Sequence, residues 1–73
     1  MTNQTNQCSV ELKCVDGNTE LARFFGKDCM TEARFYIHEE SKDFASSLGA
    51  HSFKEYEFYY ERYLESLAIV CHN

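Results

Sequence analysis

Asp16-Gly17 sits between two stretches of alternating apolar and polar character, Val10 to Cys14 and Thr19 to Phe24. An Asp-Gly pair in that setting is a strong hairpin signal, because both central residues of the favoured tight turn need φ > 0. Read as a two-residue loop, it sets Val15 opposite Asn18, Lys13 opposite Glu20 and Leu12 opposite Leu21. That register matches an opposite-charge pair and an apolar pair across the strands. The sequence therefore predicts a β-hairpin over about residues 8–25.

The middle of the chain supports two readings. As a strand over about 32–38, Ala33, Phe35 and Ile37 face one way, and Glu32, Arg34, Tyr36 and His38 the other. As a helix from about Cys29 to Leu48, ended by Gly49, the residues Met30, Ala33, Ile37, Phe44 and Leu48 form one apolar stripe. Phe35-Tyr36-Ile37 favours strand, and Glu39 to Ala45 favours helix. Ala22-Arg23-Phe24-Phe25 also recurs as Ala33-Arg34-Phe35-Tyr36, as two neighbouring strands with one face pattern would. The expectation is a third strand followed by a short helix, Ser41 to Leu48.

Beyond it, Ser52 with Glu55 three residues on forms a capping box. Phe53, Tyr56, Tyr60, Tyr63, Leu64, Leu67 and Cys71 then recur at helical spacing, with no Gly or Pro from Phe53 to Asn73. The expectation is one helix of about five turns, packed on the sheet or on the shorter helix. The expected class is α+β: a small antiparallel sheet, made of an N-terminal hairpin and a third strand, covered by a short and a long amphipathic helix. The alternative is a mostly α-helical bundle.

A chain of 73 residues is one small domain, read here as residues 8–73 behind a polar tail at 1–7. MTNQTNQ has neither a basic nor an apolar block of a secretory leader, so a cytoplasmic setting is expected, with structural disulfides disfavoured. Asn3-Gln4-Thr5 is a glycosylation sequon that matters only in a secreted chain. Cys8, Cys14, Cys29 and Cys71 show no C-x-x-C, and no H-x3-H accompanies them, so no metal or cofactor is expected. They read as small core hydrophobes whose redox state the sequence leaves open.

The formal charge is -5, too acidic to grip nucleic acid by bulk charge, and no apolar run is long enough for a bilayer. The acids concentrate late: residues 39–73 carry seven of the twelve, against three bases. No phosphate loop, nucleophile elbow or metalloprotease motif occurs. His38 beside Glu39 and Glu40 lacks catalytic geometry, because adjacent side chains diverge. Cys71-His72 lacks an orienting third group. No catalytic residue is assigned.

What remains is a surface. On the predicted long helix, Glu55, Glu61 and Glu65 lie off the apolar stripe and Glu57 at its edge, while Phe58 and Ile69 lie off it on the far side, near Tyr59. Carboxylates around rings suit a basic partner, either a protein or a protein–nucleic acid complex. The expected function is a non-enzymatic acidic binding protein, an inhibitor that docks on a nucleic-acid-binding surface. A phage or mobile-element protein blocking a host defence complex fits that description, as does an antitoxin or immunity protein against a basic nuclease. The alternative is a structural or adaptor subunit whose exposed aromatics form a homodimer.

Overall fold

A computed structural model describes residues 6–72. The element order is β1 (Gln7–Leu12), β2 (Thr19–Phe25), α1 (Cys29–Ser47), α2 (Phe53–Glu65) and β3 (Leu67–His72). The three strands form one antiparallel sheet in the order β2-β1-β3. The α+β class therefore holds, although the third strand and both helices differ from the expected ones. The expected tail and the Asn3 sequon fall mainly on 1–5, outside the described residues, and Gln7 already pairs with Phe25 and His72.

The hairpin forms, but with a longer loop. Residues 13–18 connect the strands, and Gly17 adopts φ +124 and donates to Cys14 O at 3.4 Å. Leu12 faces Thr19 and Glu11 faces Glu20, with a bulge that leaves Leu21 out of the ladder. The expected Lys13–Glu20 pair is absent because β1 is central. Lys13 N donates to Ser66 O at 2.9 Å and Lys13 Nζ to Glu65 O at 3.1 Å, toward β3 instead. Of the opposed Glu11 and Glu20, the second is ion-paired and the first is held by hydrogen bonds. Arg23 binds Glu20 through two nitrogens, at 2.7 and 3.1 Å, and Asn18 Nδ2 donates to Glu11 Oε1 at 3.1 Å.

The expected strand at 32–38 is corrected to the middle of α1. Cys29, Ala33, Ile37, Ser41 and Ala45 recur every four residues and are all buried. As a helix the segment buries that whole row, whereas a strand would bury only alternate residues of a shorter stretch. The strand propensity of Phe35-Tyr36-Ile37 is overridden by this packing. The echoed tetrapeptides thus lie on a strand and a helix, not on two strands.

The expected five-turn helix is also corrected. α2 ends at Glu65, with Ser66 N and Oγ both donating to Tyr63 O at 3.0 and 2.6 Å. Leu67-Ala68-Ile69-Val70-Cys71 then lies along the free edge of β1. Its β-branched pair belongs in a sheet. Leu67 and Ile69 join Cys8, Val10, Cys29, Ala33 and Ile37 in or against the core between sheet and α1. Two cysteines, Cys8 and Cys29, are core residues as expected, while Cys14 and Cys71 are exposed.

α2 packs on α1 through rings. Tyr63 stacks on Phe44 with centroids 4.6 Å apart, and Tyr60 Oη lies 2.7 Å from His38 Nδ1. No α2 side chain is fully buried. No helix among the described residues is long and apolar enough to cross a membrane.

Candidate docking surface

α2 begins at the predicted cap, Ser52, although the Glu55 carboxylate reaches one residue further back than a capping box requires, to His51 N instead of Ser52 N. Ser52 Oγ accepts from Glu55 N at 3.2 Å, and Glu55 Oε1 accepts from His51 N at 2.9 Å. Glu55 is therefore tied into the helix start, where its charge also suits the helix dipole. It is exposed, but it serves the fold.

The other expected site residues are distributed around α2. Glu57 and Glu61 line one shallow groove with His38, Lys42, Tyr56 and Tyr60. Phe58 and Tyr59 line another on the opposite flank, with Phe44, Leu48 and Arg62. Phe58 is 57% exposed, packs edge-on to Tyr59 and lies 5.8 Å beneath the Arg62 guanidinium. Glu65 is exposed at the last turn. Ile69 is corrected: it lies on β3, pairs with Val10 and packs against the core. The expected single plate is thus two grooves separated by the helix ridge.

A more apolar concavity lies on the other helix. Phe24 of β2 and Thr31, Glu32, Phe35, Tyr36 and Glu39 of α1 line a cleft of about 530 Å³. Phe35 is 66% exposed and forms the open side of this cleft. Phe24 and Tyr36 close the cleft's apolar side, with ring centroids 5.7 Å apart. Burial pushes the Tyr36 phenol above its ordinary range, and the Glu40 carboxylate and Tyr63 add to this.

Glu32 and Glu39 stand three residues before and four after Phe35, so a carboxylate flanks the ring along the helix on each side. Glu39 contacts Lys42 at 3.5 Å with both side chains partly exposed, while Glu32 has no ion pair among the described residues. An apolar floor with negative flanks suits a long aliphatic stem ending in a cation, held by ring faces and carboxylates. The helical half of this signal, Glu32-x-x-Phe35-x-x-x-Glu39, is visible in the sequence once the segment is read as helix. The arrival of Phe24 from β2 is not, because it depends on the packing of α1 on the sheet.

The sheet face away from α1 carries a polar layer. Ser9 is 0% exposed, and its Oγ donates to Glu11 Oε2 at 3.2 Å and lies 3.1 Å from His72 Nε2. With the hydroxyl hydrogen given to Glu11, the consistent tautomer has His72 Nε2–H donating to Ser9. Arg23 bridges Gln7 Oε1 at 2.7 Å and Glu20, and its hydrogen-bonded pairing with Glu20 raises the Arg23 pKa and lowers that of Glu20. These contacts satisfy one another and hold the three strands in register.

Compared with family models, curated proteins and solved structures, the chain matches none of them.

Proposed function

We propose that this chain is a non-enzymatic binding protein that docks on a basic surface of a partner protein. The observation that carries the proposal is the α1–β2 cleft, where Phe24, Phe35 and Tyr36 stand between Glu32 and Glu39. A partner lysine or arginine entering there meets ring faces and two carboxylates together. The net charge of -5 extends the same preference over the rest of the surface. Glu57 and Glu61, beside the second groove, supply further carboxylates on α2. A basic surface of this kind is also where nucleic acid binds, so occupation by this acidic chain makes it an inhibitor by competition.

The test is parallel affinity capture from nuclease-treated lysate with the natural chain and the Glu32→Lys/Glu39→Lys variant. We expect a protein with a basic nucleic-acid-binding surface to be retained by the natural chain, released by added DNA or RNA, and lost with the variant. Retention indifferent to both charge reversal and nucleic acid would remove the proposal. Charge reversal at Glu57 and Glu61 in a separate variant reports whether the α2 groove takes part. Glu55 is unsuitable for that purpose because its carboxylate holds the helix start.

Self-association has one observation in its favour. β3 is an edge strand with an apolar run, Leu67 to Val70, and edge strands accept further strands. Light scattering distinguishes the readings: a stable dimer that protects β3 amides favours pairing of this edge.

A further inference from the structure

Three of the four cysteines, separated by up to 63 positions in sequence, converge at one end of the sheet. Cys8 of the central strand is the hub. Its Sγ lies 2.9 Å from Cys29 Sγ, at the first residue of α1, and 3.7 Å from Cys71 Sγ on the edge strand. Cys8 and Cys71 are also direct partners in the β1–β3 ladder. Cys8 and Cys29 are buried, and Cys71 is exposed. A concavity of about 200 Å³ opens onto all three, and Lys27 lines it too. No salt bridge engages Lys27 among the described residues.

We infer that these residues form a thiol–disulfide exchange relay, in which Cys71 takes up oxidising equivalents from a small anionic disulfide and passes them through Cys8 to a final Cys8–Cys29 bond. The exposed Cys71 thiol loses its proton to solvent and attacks one sulfur of the small disulfide. The S–S bond of that molecule breaks, and one small thiolate leaves and is protonated. Cys8, deprotonated in turn, attacks Cys71 Sγ and expels the second small thiolate, forming Cys8–Cys71. Cys29, after losing its own proton, attacks Cys8 Sγ, and Cys71 is released as a thiolate and regains a proton. In sum, two protein thiols lose two electrons and two protons, and one small disulfide becomes two thiols. Closing the Cys8–Cys29 contact needs a shift of about 0.9 Å, to a disulfide length of ~2.05 Å.

The arrangement explains the order. Cys8 is out of solvent, and its hydrogen bond to Cys29, its burial and Cys71 push its pKa up from 9.0 to about 12. Burial keeps reagents in solution away from it, and a mixed disulfide on the adjacent Cys71 is the target within its reach, while its high pKa limits its thiolate toward either. Lys27 in the same concavity favours a disulfide that carries carboxylates. Cys14 lies apart in the hairpin loop, bonded weakly to Leu12 O and Thr19 Oγ1 at 3.7 Å each, and serves as an internal control.

The test incubates the full chain in glutathione buffers of graded oxidised-to-reduced ratio, followed by acid quench, alkylation and peptide mapping. The expected result is the joint loss of two thiols from the cluster and a mapped Cys8–Cys29 link, with Cys14 in no internal link and carrying at most a glutathione adduct. Cys71→Ser, at an exposed position, should slow the linkage about tenfold or more without changing the circular dichroism. Cys8→Ser should leave a glutathione adduct trapped on Cys71. If Cys8→Ser does not fold, the rate with Cys71→Ser decides alone. Glutathione adducts without an internal link, disulfide-linked dimers, or thiols protected by a retained metal would each overturn the relay, as would a Cys71→Ser chain that oxidises at the natural rate.

Discussion

Ser41 is 0% exposed in the middle of α1, and its Oγ has no hydrogen-bond partner among the described residues. A buried hydroxyl without a partner costs about 1–3 kcal/mol, and Ala is the better helix former. Ser41→Ala should therefore stabilise the fold by about 1 kcal/mol, read as a higher urea midpoint with an unchanged slope. Cys8 gives a pH prediction at the same scale. Its folded-state pKa of about 12 lies above the ordinary 9.0, first through the Cys29 hydrogen bond. The folded chain thus holds this proton more tightly than the unfolded chain. The resulting stability is complete below pH about 9 and is lost as pH rises toward 12. Under reducing conditions the urea midpoint should fall through that window, and Cys8→Ala should flatten the fall. Tyr36 shifts in the same direction and is common to both proteins, so the difference between them reports Cys8.

At the scale of elements, α2 is the least anchored. None of its side chains is fully buried, and it holds to α1 through the Tyr63–Phe44 stack and the Tyr60–His38 bond. Its start depends on Ser52, so Ser52→Ala should cost about 1 kcal/mol. Amide exchange should accelerate first in the initial turn of α2 and leave β1 protected. Tyr63→Ala should cost more, about 2 kcal/mol, from a stacked pair and partial burial. A fully buried tyrosine would cost roughly 3 kcal/mol or more, but Tyr63 is only half-buried. Denaturant titration of the two variants should preserve that order. A larger loss for Ser52→Ala would mean that α2 is held by its cap more than by its rings.

At the scale of the whole molecule, the largest fully buried side chains among the described residues are Val10, Ser9 and Ser41. So small a core leaves several rings outside, among them Phe35, Phe53 and Phe58. Isolated exposed hydrophobes are ordinary, but a ring forming a cleft between carboxylates is organised for contact. Under the docking proposal the free chain is a monomer, with the β3 edge left unpaired. Sedimentation should show one species near the chain mass. Binding to the basic partner should weaken as salt rises, since the exposed carboxylates act across distances comparable to a Debye length of about 10 Å at 0.1 M.

Local chemistry was enough to read several features. Asp16-Gly17 placed the hairpin, Ser52 and Glu55 placed the start of α2, and alternation followed by helical spacing indicated a mixed α+β class. Each of these depends on residues within a few positions of one another. Tertiary structure alone decided which segment would occupy the second edge of β1. Both 32–38 and 67–72 are strand-like, and that edge holds one strand. The C-terminal run takes it with Leu67 and Ile69 against Leu12 and Val10, while Ala33 and Ile37 bury more completely as part of the four-residue row of α1. The end of α2, the cleft that joins Phe24 to Phe35, and the meeting of Cys8, Cys29 and Cys71 all follow from that choice. It is a competition between contacts far apart along the chain, which no local periodicity can rank.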